Sequence, residues 1–313
     1  MKNRNTVNWI HGITLGIAAT ALVLLAGCNN SEQATVQTES VVESNSTPKI
    51  KEEKNFTIPL SKTVKLEMIW IEPGTFMMGS PSSELGRFDN ETQHEVTLTK
   101  GYWLGKYEVT QSQYETVIGR NPSKFKGSDM PVEMVNWNDA KEFCAKLTEI
   151  EKKEGRLPEG YEYTLPTEAQ WEYACRAGTT TAFNNGKNIP TKEQEIEKSC
   201  SNLDEVGWYF FNGKKTHSVG QKQPNAWGLY DMHGNVWEWC LDYCDSNLND
   251  GVVTDTYRDG ISDPLCKIGS ECVRRGGCWV LFAQGCRSAI RNSDASIYRG
   301  NYIGFRVALV PVQ

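Results

Sequence analysis

The chain is poor in histidine and has no cluster of basic residues. Four histidines occur in 313 residues, and none stand in a His-x-x-x-His pair, the spacing at which one helix face offers a metal two imidazoles. A formal net charge of −6 without a Lys/Arg run argues against a nucleic-acid partner. No Gly-rich phosphate loop and no Gly-x-Ser-x-Gly elbow is present, so neither nucleotide chemistry nor a serine hydrolase is indicated. Internal repeats at solenoid or propeller spacing are also missing. What the chain does have is aromatic: ten tryptophans and twelve tyrosines against modest aliphatic content, which suggests a loop-rich fold stitched by rings.

The first residues read as an export signal. Lys2 and Arg4 precede an uncharged apolar run from Ile13 to Leu25, too short to span a bilayer, and small residues follow it. Leu25-Ala26-Gly27-Cys28 resembles the bacterial lipobox, which implies cleavage after residue 27 and lipidation of Cys28. Residues 28–60 are then expected to form a flexible tether, because Ser, Thr, Glu, Gln and Asn dominate and little apolar surface is available to offset ordering. Residues 64–313, about 250 in number, suffice for one large domain with a full core. These features are read as those of an exported protein, lipid-anchored to the bacterial membrane. A position on an outer membrane, exposed at the cell surface, is the expectation that accompanies the family resemblance given below. The anchor is its one expected membrane contact.

Three helices are signalled. Thr110-Gln111-Ser112-Gln113 and Thr167-Glu168-Ala169-Gln170 are capping boxes, and Asn136 or Asn138 can cap a third helix. In that helix Ala140, Phe143, Cys144, Leu147 and Ile150 form one apolar stripe. After Gly178 short strands and loops rich in Gly, Asn and Asp follow, with Arg274 to Val280 alternating like a strand. The pattern is α+β, with little regular secondary structure, small antiparallel sheets and two to three helices.

Residues 276–306 are the most informative stretch. Gly276-Gly277-Cys278-Trp279, Cys286-Arg287-Ser288-Ala289, Arg291, Arg299 and Ile303-Gly304-Phe305-Arg306 form a spaced framework. Between these stand Val280, Leu281, Phe282, Gln284, Gly285, Ile290, Asn292, Ser293, Asp294, Ile297, Tyr298, Asn301 and Tyr302. Neither helical nor strand periodicity governs the second set, and large apolar groups alternate with small polar ones, as on a binding loop.

Several motifs in order carry a family resemblance. They are Phe76-Met77-Met78-Gly79-Ser80, Tyr107-Glu108-Val109-Thr110, Leu165-Pro166-Thr167-Glu168-Ala169-Gln170-Trp171-Glu172-Tyr173-Ala174, Gly228-Leu229-Tyr230-Asp231-Met232-His233-Gly234-Asn235-Val236-Trp237-Glu238-Trp239, and the closing Gly304-Phe305-Arg306. Together they resemble the sulfatase-modifying-factor family, whose founding member is the formylglycine-generating enzyme. The resemblance implies a variant of the C-type lectin fold. It does not fix the activity, since one fold hosts unrelated functions.

The enzymes of that family hold copper(I) with two cysteines four residues apart, soft thiolates suited to the metal. Here the first position falls on Leu281, and Cys286 fits better the family's structural cysteine, bonded by resemblance to Cys175. One or both catalytic thiols are therefore expected to be missing, and no copper is expected. By the same resemblance Asp231 and Glu238, with the carbonyls of Gly234 and Val236, would bind calcium; hard oxygens in a tight loop suit that ion. The equally open alternative is that the two carboxylates bond the backbone of a buried turn. Nine cysteines remain besides Cys28, an odd number, and Cys144 is a candidate free thiol because its family partner position is Val307. Short bridges Cys240–Cys244 and Cys266–Cys272 are further options.

A subgroup of the family is diversified by retroelements around a fixed skeleton like the one above. The resemblance thus implies a non-enzymatic surface lipoprotein that binds a protein or glycan through the interspersed positions of residues 276–306. The alternative is a periplasmic formylglycine-generating or related oxidase.

Overall fold

In a computed structural model the described residues are 54–190, 199–247 and 251–312, and within them side chains 246, 247 and 251–253 are left aside. The signal, Cys28 and most of the tether lie outside these residues. The chain begins with β1 (Phe56–Pro59), β2 (Lys65–Ile71), β3 (Gly74–Met78), β4 (His94–Leu98) and β5 (Tyr102–Gly105). Next come α1 (Gln111–Ile118), α2 (Trp137–Lys153), β6 (Tyr161–Thr164), α3 (Glu168–Arg176) and the single turn α4 (Ser201–Asp204). The remainder is β7 (Gly207–Trp208), β8 (His233–Gly234), β9 (Trp237–Asn247), β10 (Gly251–Val253), β11 (Ile261–Ser262), β12 (Glu271–Arg275), a 3-10 turn at Ala283–Cys286, β13 (Arg291–Asp294), β14 (Ile303–Gly304) and β15 (Ala308–Pro311). The fold is α+β with few helices, as expected. β1 lies in the stretch read as tether; it pairs with β2 because Ile58 alternates inward and is 1% exposed.

Local chemistry explains the helices. Thr110, Asn136 and Thr167 each cap a helix in extended conformation, with the reciprocal bond from the side chain three residues on. The stripe on α2 is buried through Leu147, but Ile150 in the last turn is exposed, so the apolar face ends one turn early.

A five-stranded sheet, β1-β2-β5-β15-β6, is antiparallel throughout and joins the two ends of the domain through β5 and β15. A second sheet runs β10-β9-β12-β13, with β14 beside β9 in parallel. Two smaller sheets, β11-β4-β3 and β7-β8, also contain parallel pairs, so not every ladder is antiparallel. One core lies beneath α1 and α2 and includes Tyr114, Phe143, Trp239 and Phe305; a second lies beneath α3 around Trp171 and Leu229. A third, with Phe183, Leu203, Tyr209, Ala283 and Cys286, supports the loop that follows β12.

The strand expected from Arg274 to Val280 stops at Arg275. Gly276 and Gly277 turn to φ 94° and 76°, and a Cβ on Gly277 would sit 2.2 Å from the Gly285 carbonyl oxygen. Only glycine fits there, so the strand must end and the loop must begin.

Candidate binding site

The loop is held by arginines that point inward. Arg287 is unexposed and pairs with Glu91 and Glu84. Arg291 grips Glu168 with Nε and Nη2 at 2.6 and 2.7 Å and lies 3.5 Å over the Tyr257 ring. Arg275 pairs with Glu172 and donates to the Ser288 and Ala289 carbonyls, and Arg306 pairs with Glu238. Burial opposes the charge on Glu168, yet Arg291 and Arg275 beside it hold its carboxyl below the usual range. Each arginine thus ties the loop or its flanks to a carboxylate from a distant segment.

The interspersed positions face outward or line a hollow. A cavity of about 460 Å³ is lined by eight of the thirteen: Val280, Leu281 and Phe282, then Gln284 and Gly285, and Ile290, Asn292 and Tyr302 from the far side. Ser293, Asp294, Ile297, Tyr298 and Asn301 do not line it. Ile297, at 73% exposure, projects fully, and Tyr298 meets Tyr302 hydroxyl to hydroxyl at 2.5 Å. Ile290 and Gly285 are buried, and Leu281 and Tyr302 are half-buried against the core, so these four are not freely exposed side chains. Their packing against the loop's own base explains why.

Phe88, Trp237, Arg274 and Cys278 also line the cavity and were not among the positions expected to bind. Phe210 and Phe211, from the segment after β7, lie 4.9 and 5.7 Å from Phe282 and widen its apolar rim. Their position is fixed by the Phe210 amide, which donates to the Leu281 carbonyl at 2.8 Å. The run of four aromatics Trp208-Tyr209-Phe210-Phe211 was the available signal.

The four expected calcium ligands do not form a cation site. Both oxygens of Glu238 are taken by Arg306, at 2.6 and 2.7 Å, and Oε2 also accepts from Trp171 Nε1. Asp231 accepts from the Gly220 amide at 2.7 Å, and burial pushes its carboxyl up to about 6. Among the described residues no group of three or more acidic, Cys or His side chains could hold a metal. An ion at Glu238 would have to displace the buried guanidinium. Asp231 bonds backbone through Oδ2 and has its Oδ1 buried without a partner among the described residues, whereas Glu238 bonds side chains rather than the backbone of the turn.

Cys175 and Cys286 are not joined. His233 stands between them: Nδ1 is 2.8 Å from the Cys286 carbonyl, and Nε2 is 3.0 Å from the Asn184 amide and 3.9 Å from Cys175 Sγ. The Asn184 N–H needs an acceptor, so Nδ1 carries the proton and donates to the carbonyl. The short bridges are not formed either, since Cys240 and Cys244 lie four residues apart along extended β9. Cys144 is a buried thiol beside the core that holds Val307. Burial pushes the Cys278 thiol up to about 12 and raises that of Cys286, so neither is held as a thiolate.

The family model described as sulfatase-modifying factor enzyme 1-like domain matches residues 56–310. The mouse formylglycine-generating enzyme is 30% identical over 225 residues, covering 69% of this chain and 53% of the enzyme, so the chain spans about half the length of that relative. Chaperone protein LppX of Paenibacillus barcinonensis is 34% identical over 225 residues, 58% of this chain and 73% of its own. Among solved structures, Treponema denticola variable protein 1 matches with a TM-score of 0.66 at 29% identity, over 82% of this chain and 98% of that one. PvdO from Pseudomonas aeruginosa matches with a TM-score of 0.63, also at 29% identity, over 81% and 97%.

Proposed function

Because the chain belongs to the sulfatase-modifying factor enzyme 1-like family, we propose that it uses this fold for binding rather than catalysis. In this reading it is a lipoprotein anchored through Cys28 and displayed at the cell surface, its ligand a protein or glycan, and its loop diversified by a retroelement. One observation carries the proposal. Within residues 276–306 the framework arginines Arg287 and Arg291 face inward to buried carboxylates, while eight of the positions between framework residues surround one cavity. Such a division lets the cavity change its side chains while the ion-paired frame stays constant. The likeness to Treponema denticola variable protein 1 supports the same reading. Leu281 stands where the family resemblance puts the first copper-binding thiol, which weighs against an oxidase.

Two measurements test this. Deep sequencing of the gene's 3′ end across one population should find substitutions concentrated at the thirteen positions and none at Arg287 or Arg291. Protein supplied with copper(I), oxygen and a sulfatase-motif peptide should yield no formylglycine; turnover lost on Cys286→Ser would favour the oxidase.

A further inference from the structure

Arg274 differs from the other arginines of this region. It is 8% exposed and lines the cavity, yet its neighbours are not scaffold carboxylates. Nη2 donates to Asn292 Oδ1 at 3.0 Å, and Nη1 lies 2.8 Å from Asp294 Oδ2 without the alignment of a hydrogen bond. Nε is buried with no acceptor among the described residues. The guanidinium stands 5.2 Å over the Trp237 ring and 5.9 Å over that of Tyr302. A buried N–H left without an acceptor is costly, and a ligand oxygen would relieve that cost.

Building on the binding reading above, we propose that the cavity receives a peptide segment of a partner protein, seating a bulky apolar side chain and giving an uncharged carbonyl oxygen to Arg274. The walls supplied by Phe88, Leu281, Phe282 and Ile290 are apolar, and the polar side chains of the lining are Arg274, Gln284, Asn292 and Tyr302, the last with its hydroxyl already bonded to that of Tyr298. A sugar would leave most of its hydroxyls unmatched against such walls. Asp294 already neutralises the guanidinium, so an incoming carboxylate would meet a like charge where an amide carbonyl would not. Outside the hollow, Phe210 and Phe211 extend the apolar rim from Phe282, a surface that a small free ligand would leave uncovered and a protein would bury.

The probes are N-acetylphenylalaninamide and N-acetylphenylalanine, titrated onto the full chain by ligand-observed NMR. The amide should bind at least about tenfold more tightly than the carboxylate. Asp294→Asn should remove that preference, and Arg274→Met, which keeps the volume, should weaken the amide about tenfold while near-UV circular dichroism stays native. Equal binding of the two probes to the parent chain, or an amide affinity unchanged in Arg274→Met, would overturn the anchor. Methyl mannoside binding that is lost on Phe282→Ser, with no binding of the amide, would overturn the peptide assignment and leave the binding reading standing. Formylglycine production would instead remove the reading on which the proposal rests.

Discussion

Arg287 and Glu91 form a two-pronged ion pair in which neither side chain is exposed, Nη1 lying 2.8 Å from Oε2 and Nη2 2.5 Å from Oε1. The arginine follows Cys286 in the binding loop, and the carboxylate precedes β4, 196 residues away in sequence. Removing one partner strands the other charge in the interior. Arg287→Met should therefore cost roughly 3–5 kcal/mol. In a domain of this size that is a fall of about 10 °C in melting temperature. Replacing the whole cluster, as Arg287→Met with Glu91→Leu and Glu84→Leu, should recover much of the loss, because desolvated ion pairs are often matched by apolar packing. A single-mutant cost below about 1 kcal/mol in urea titration would show that the pair does not brace the loop.

Much of the helical framework was legible because its signals are local. Thr110, Asn136 and Thr167 carry their capping partners within three residues, and all three boxes form. The strand after Arg274 was read too long, since alternation says nothing about the positive φ that Gly276 and Gly277 must adopt. The thirteen loop positions were recognisable from the family pattern, but their division into cavity wall, projecting tip and half-buried base depends on tertiary packing. The arginine–carboxylate pairs were not legible at all: nothing near Arg291 in sequence points to Glu168, 123 residues earlier. Nor does a local pattern tell that Phe210 and Phe211 reach Phe282.

Exposure sorts the loop substitutions. Ile297→Ser, Tyr298→Ser and Phe282→Ser alter residues that are 73, 38 and 37% exposed, so each should shift stability by no more than about 0.5 kcal/mol. Ile290→Ala, at a residue 6% exposed, should cost roughly 2–5 kcal/mol. Leu281→Ser should fall between, since Leu281 is half-buried against two core clusters. Thermal melts of the five variants check the order. If Phe282→Ser melts as low as Ile290→Ala, the rim is core rather than binding surface.

Cys175 should not be found bonded to Cys286. Its sulfur neighbours Ser288 Oγ at 3.7 Å and the Met232 carbonyl at 3.8 Å, with His233 interposed toward Cys286. Burial pushes its thiol up to about 12, which makes it a slow nucleophile in the folded state. Peptide mapping under non-reducing conditions should lack the Cys175–Cys286 peptide, and alkylation of Cys175 should require denaturant. Recovery of that cross-linked peptide would mean that His233 swings aside in the folded protein.

His233 supplies a pH dependence. Burial lowers its imidazole to about 4, against the opposing bond to the Cys286 carbonyl and with a smaller push from Arg176, and a second proton on Nε2 would face the Asn184 N–H. The folded value lies below the ordinary 6.5, so the stabilisation is complete above about pH 6.5 and is lost as pH falls toward 4. The loss amounts to about 3 kcal/mol at most. Urea midpoints of the parent chain should therefore drop between pH 7 and 4.5 by more than those of His233→Gln. Equal drops in both proteins would mean that His233 charges as readily folded as unfolded.

Calcium should leave the fold unaffected. Glu238 is 1% exposed in its side chain, and its carboxylate is occupied on both oxygens by Arg306, which also donates to the Gly105 and Tyr230 carbonyls. That guanidinium links the β5 end, the Tyr230 turn and β9, and it supplies in place the positive charge a cation would bring. A ligand that binds only the folded state at a hundred times its dissociation constant would raise stability by about 2.7 kcal/mol, several degrees in a melt. Millimolar calcium and excess chelator should instead give the same melting temperature within about 1 °C. Arg306→Met should lose far more stability than calcium can restore, because the buried Glu238 carboxylate keeps only the Trp171 donor and loses its counter-charge, and the Gly105 and Tyr230 carbonyls lose the guanidinium. A calcium-dependent rise of several degrees in the parent chain would show that Arg306 yields its place to the ion, and the pairing described here would then be one of two states of this turn.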